Sequence, residues 1–154
     1  MSNSMKGMIA GFVATLVLSA LLLLKSTMNL VPDLNIIRLL TNLGSIGTVA
    51  AWMDHFIVGV VVWGLLFGAY DAMAMRPAHW LKGIIFGVFA WLLMMVVFMP
   101  LAKTGFFGMK LGPMAAVVTL MYHLVYGAVL GTTYGLLTTW APEKAPEGSR
   151  PTAT

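Results

Sequence analysis

The 154-residue chain has no cysteine and only five acidic residues, and charged residues of both signs make up 9% of it. Without cysteine there are no disulfides, no thiolate metal sites and no thiol nucleophiles. Five carboxylates leave little for acid–base chemistry. The sequence also carries no His-Glu-x-x-His segment, phosphate loop, Ser-His-Asp order or carboxylate pair, the patterns that would signal common catalytic sites. A non-enzymatic protein is therefore expected. The scarcity of charge also decides the solvent. A soluble domain uses about a quarter charged residues, whereas here 60% are hydrophobic and the mean hydropathy is +0.92. That surface suits lipid.

Four apolar stretches are long enough to span a bilayer, at about 7–24, 45–70, 83–101 and 113–139, since a spanning helix needs roughly 18 or more such residues. The first is read as a retained span rather than a removed signal, because a similar segment recurs later. The net charge is +4 and the pI near 9.6, yet the basic residues stand singly at span ends. There is no basic stripe with interleaved aromatics, so nucleic acid is not an expected partner. The bilayer is, and the lysines and arginines are expected to snorkel to headgroups. Lys6, Arg76, Lys82, Lys144 and Arg150 fall on the side of both termini; Lys25, Arg38, Lys103 and Lys110 fall on the other. The positive-inside rule then leans to cytoplasmic termini.

The chain reads as two copies of one helical hairpin. Leu43-Gly44, ten residues, His55 and Gly59 are matched 68 positions later by Leu111-Gly112, ten residues, His123 and Gly127. Lys6-Gly7 and Gly11 are matched 76 positions later by Lys82-Gly83 and Gly87. Two spans per unit make the copies parallel, related by a pseudo-two-fold axis along the membrane normal. The expected fold is an all-α integral membrane four-helix bundle of two parallel hairpin repeats. In the longer first connection, Asp33 is a candidate N-cap and Gly44 a stop for a short interfacial helix with Arg38 toward headgroups. Its counterpart, 103–112, offers Phe106 and Phe107 to the membrane surface. Residues 142–154, rich in Pro, Glu and Gly, read as a disordered polar tail.

Every span carries glycines at close-packing spacing: Gly7 and Gly11, Gly59, Gly64 and Gly68, Gly83 and Gly87, and the row Gly127, Gly131 and Gly135. Helices in lipid associate through dense contact at small residues, so these mark helix–helix faces, inside the bundle or toward a second subunit of a homo-oligomer or larger complex.

The polar centre is expected at Asp54, His55, Tyr122, His123 and Tyr126. Each histidine stands ten residues into its span, roughly 15 Å deep in a layer of about 30 Å, and ionisable groups at such depth are functional candidates. Asp54 is expected to face the first span and His55 the pseudo-axis, opposite His123. Three readings stay open. The histidines pair and fix the packing of an accessory or structural protein. Alternatively they are cofactor-binding, as axial ligands of a b-type haem or with a metal. Or Asp54, His55, Tyr122, His123 and Tyr126 carry protons or ions. His79, beside Trp80 in a short connection, reads as a headgroup-touching residue. The methionines read mainly as gap-filling bulk.

The stretches Met99-Pro100-Leu101-Ala102, Gly105-Phe106-Phe107-Gly108 and His123-Leu124-Val125-Tyr126-Gly127-Ala128-Val129-Leu130-Gly131, with Tyr134-Gly135, resemble a set of small bacterial four-span membrane proteins grouped as a domain of unknown function. The similarity runs from about Lys6 to Trp140. It implies a bacterial inner-membrane setting and brings no assigned ligand or catalytic residue.

Overall fold

A computed structural model describes residues 1–27, 35–44, 47–74 and 78–140, with the backbone alone for Ile36 and Asn42. Five helices carry the fold: α1 (Asn3–Thr27), α2 (Ile36–Gly44), α3 (Thr48–Met73), α4 (His79–Leu101) and α5 (Pro113–Trp140). All but α2 are long and apolar enough to cross a membrane. The described residues contain no strand. The protein is an all-α, multi-pass four-helix bundle. The expected tail and the Asp33 cap lie outside the described residues.

Local signals set the helix ends. Ser2 Oγ accepts the Met5 N–H at 3.2 Å and caps α1. Asn35 Oδ1 accepts the Arg38 N–H at 3.0 Å and caps α2. Before α5, Gly112 turns at φ 87° and Pro113 takes the first helical position, where a missing N–H costs nothing.

Helix α1 packs on α3 and on α5, and α4 packs on α5. The contacts are backbone to backbone. A Cβ on Gly7 would run into the Gly64 carbonyl, and one on Gly83 into that of Gly127. Gly11 lies against Gly59 and Gly64, Gly87 against His123 and Gly127, Gly131 against Gly83 and the His79 carbonyl. Gly68 lies against Asn3 and Gly135 against the His79 side chain. The glycine rows are thus used within the chain.

These contacts give the register of the two hairpins. On the first helix of each, the contacts of Gly7 and Gly11 correspond to those of Gly83 and Gly87, 76 positions on. On the second, 63 positions (127 − 64) carry Gly64 to Gly127 and Gly68 to Gly131. Beyond them Gly59 takes the place of His123, at 64. The packing therefore does not superpose His55 on His123. The extra residue is absorbed by a π-helical turn, Ile57–Val62, in which the Trp63 N–H reaches back five residues to the Val58 carbonyl. A second π turn, Met94–Phe98, widens α4 just before Pro100. Proline offers no N–H and its ring would collide with the Val96 carbonyl, and the wider turn relieves both.

Gly83→Ala should lower stability by about 1–3 kcal/mol, because the methyl must displace backbone and not a flexible side chain. Gly47, with open space around it, should accept serine at no cost. Thermal unfolding of both variants in detergent checks the contrast.

Candidate functional site

Where the glycine rows end, the helices enclose a cavity of ≈ 200 Å³. Thr15, Leu18 and Leu22 of α1 form one wall and Ala90, Met94 and Phe98 of α4 another. Leu39, Leu40 and Leu43 of α2 close one side, so the expected interfacial helix turns its leucines onto the bundle while Arg38 stays exposed. The lining is overwhelmingly apolar, and its polar members are few. They include Asp54, His55, Tyr122, His123 and Tyr126, which are the residues singled out from the sequence.

The two imidazoles are presented differently. His55 Nε2 lies 3.2 Å from Ser19 Oγ on α1. With the Ser19 hydroxyl proton on the Thr15 carbonyl, 2.8 Å away, the oxygen receives the His55 Nε2–H and Nδ1 is left as an acceptor. His123 Nδ1 lies 2.8 Å from the Thr119 carbonyl. A carbonyl only accepts, so here Nδ1 carries the proton and Nε2 is the bare acceptor. Neither bare nitrogen has a hydrogen-bond partner among the described residues, and neither is sealed from its surroundings. The rings do not hydrogen-bond each other. His55, not Asp54, is the one that faces the first span. Asp54 is exposed at the cavity rim. His55 stands seven residues into α3, roughly 10 Å deep at about 1.5 Å per residue, whereas His123 stands ten residues into α5, roughly 15 Å.

Tyr126, Trp91 and Thr119 are hydrogen-bonded within the chain. Tyr126 OH donates to the Gly59 carbonyl at 2.6 Å, inside the π turn, and so ties α5 to α3. Trp91 Nε1–H donates to the Ala116 carbonyl and to Thr119 Oγ1, at 3.1 and 3.2 Å, bracing the turn whose carbonyl holds His123. Met53 and Met121, each two residues before a histidine, are exposed and are not among the residues lining the cavity. Among the described residues no three His, Cys, Asp or Glu side chains gather as a metal site.

A second polar group lies at the opposite end of the bundle, and sequence reasoning missed it. Asp71 Oδ1 accepts from His79 Nδ1 at 2.7 Å and from Lys82 Nζ at 3.1 Å. Lys82 Nζ also donates to the Asp71 backbone carbonyl at 3.2 Å. His79 was expected at headgroups and Lys82 as a snorkelling residue. His79 is still partly exposed, but Lys82 is buried, and that has a physical cause. α3 runs on through Met73, which draws Asp71 into the bundle, and a buried carboxylate needs cations. The His79 ring also rests on Tyr134, centroids 5.8 Å apart. The pairing of an acid and a base eight residues apart across a span end was the available signal.

Asp71→Leu should cost about 3–5 kcal/mol, because it strands the buried Lys82 ammonium. Adding Lys82→Met should restore most of that stability. Denaturant titration of the single and double variants measures the difference.

Neither a curated protein nor a solved structure matches the chain. A family model does, over residues 1–144, and by it the chain belongs to DUF6789, a family of unknown function.

Proposed function

We propose that the protein is a non-enzymatic membrane protein that holds a small, largely apolar molecule carrying a hydrogen-bond donor, such as a hydroxylated ring, in the cavity between its hairpins. The observation that carries this reading is that His55 and His123, each with one ring nitrogen left without a partner, both line a cavity that is otherwise almost wholly apolar. Two acceptors without donors of their own call for a donor from the occupant, since an unpaired polar group at such depth is costly. Size fits as well. A cavity of about 150 Å³ holds benzene, so ≈ 200 Å³ suits a ring with a short substituent. The occupant enters from the bilayer past α2.

This reading keeps the polar centre of the accessory-protein expectation but replaces mutual histidine pairing with a shared guest. The setting that goes with it is a bacterial inner membrane with both termini cytoplasmic. The two hairpins are taken as copies of one glycine-packed unit, on the strength of their matching contacts at Gly7 and Gly83. Haem b is the second reading. It is favoured by His123, whose Nδ1–H on a carbonyl is the usual bearing of a ligating histidine. Against it stand the cavity's size and the use of His55 Nε2 on Ser19. Proton conduction is opposed by the layer of Phe67, Phe86 and Leu130, which are buried between the cavity and Asp71.

The test uses the purified full chain in detergent with 4-propylphenol and propylbenzene as probes. The phenol should raise the unfolding temperature and bind about tenfold more tightly than the hydrocarbon, the worth of one hydrogen bond to an otherwise unpaired acceptor. His123→Phe should erase the preference, and Met94→Trp, which fills the cavity, should abolish both. Equal binding of the two probes to the wild type, or none, overturns the proposal. A Soret band in the purified protein, lost in His123→Ala, would carry the haem reading instead.

A further inference from the structure

The end of the bundle that holds both ends of the four-span unit is short of negative charge. Lys6 on α1 and Lys82 on α4 are 9% and 5% exposed. Each directly precedes the glycine, Gly7 or Gly83, at which its helix meets a partner backbone, so the two lysines stand in the same layer of the bundle. Lys82 has Asp71. That carboxylate already receives both Lys82 Nζ and His79 Nδ1 on one oxygen. For the Lys6 ammonium there is no ion pair and no hydrogen bond among the described residues.

The register explains the imbalance. The offset of 63 positions that carries Gly64 and Gly68 to Gly127 and Gly131 carries Asp71 to Tyr134. Where the second hairpin's lysine finds a carboxylate on α3, the corresponding place for Lys6 on α5 holds a neutral phenol. Lys6, Lys82 and Asp71 together leave one positive charge uncompensated. The Lys6 side chain is nine-tenths covered while its unpartnered Nζ stays open to the surroundings, so the ammonium can take an anion there. At a membrane boundary the anion at hand is a phosphate, and basic pockets between spanning helices are its usual seats.

We propose that this layer binds a phosphate group through the Lys6 ammonium. The phosphate belongs either to an anionic lipid headgroup or to free inorganic phosphate; the chemistry of recognition is the same. The site is separate from the cavity at His55 and His123 and does not depend on it.

Native mass spectrometry of the full chain in neutral detergent tests this with dioctanoyl phosphatidylglycerol against dioctanoyl phosphatidylcholine. The wild type should bind the anionic lipid about tenfold more tightly, the preference expected of one buried cation. Lys6→Gln should bring the two lipids level, Lys6→Arg should keep the preference, and Lys110→Gln, an exposed lysine at the other end, should leave it untouched. Should Lys6→Gln not fold, the wild-type comparison still decides. Competition by millimolar inorganic phosphate identifies the free ion as the source, and lack of competition identifies the headgroup. Equal binding of the two lipids without phosphate competition, or an anionic preference that survives in Lys6→Gln, overturns the proposal.

Discussion

Where Gly7 meets Gly64 and Gly83 meets Gly127, no side chain stands between the helices, and the distance so fixed governs what the rest of the bundle can do. Lipid tails are as apolar as leucine, so burying a leucine between two spans gains little over leaving it outside. Close backbone approach gains many dispersion contacts at once. The chain accordingly turns bulk such as Phe12, Leu16, Phe89 and Leu92 outward and keeps glycine and alanine within. The cost appears where the small residues stop. Beyond Gly11 and Gly87 the facing positions become Leu18, Leu22, Met94 and Phe98, and there the helices enclose space instead of filling it.

The π turns make that space chemically useful. A regular α3 would keep its helix-to-helix register unchanged from Gly68 past His55. The extra residue in Ile57–Val62 rotates everything beyond it, and the Gly59 carbonyl turns toward Tyr126 OH. That one hydrogen bond joins α3 to α5 across the bundle. On α4, Pro100 produces a comparable turn, and Met94 and Phe98, at its two ends, line the same cavity. Such turns recur at functional sites because they displace a side chain without breaking a helix.

Much of this was legible from residue order alone, and what was not has specific causes. The spans could be read because hydropathy reports them directly, with ends within four residues of those observed. The glycine rows could be read because four-residue spacing puts them on one face. The match of His55 with His123 misled as a guide to packing, since a π turn leaves no mark in the sequence and shifts register by one. The bond between Ser19 and His55 spans 36 positions and depends on how α1 rotates against α3, which no local pattern encodes. Asp71 was overlooked because apolarity falls away at Tyr70, although the helix continues and carries the carboxylate inward. The leucines of α2 fitted an interfacial helix equally well, and only the cavity distinguishes a lid from a float.

The two polar layers obey different electrostatics, and the difference follows from depth. Near the chain ends a charged group has water and headgroups within reach, so Asp71 and Lys82 can remain an ion pair, with His79 on the same carboxylate oxygen. Toward the middle no such relief exists, and full charges are too costly to keep. There the chain relies on neutral imidazoles, each with one nitrogen committed to a serine or a carbonyl and the other free. Phe67 packs edge to face on Phe86 and on Tyr134, 5.4 Å from each ring. Each layer thus holds its polar groups by different means, the outer one by opposite charge on Asp71 and the inner one by directed hydrogen bonds to Ser19 and the Thr119 carbonyl.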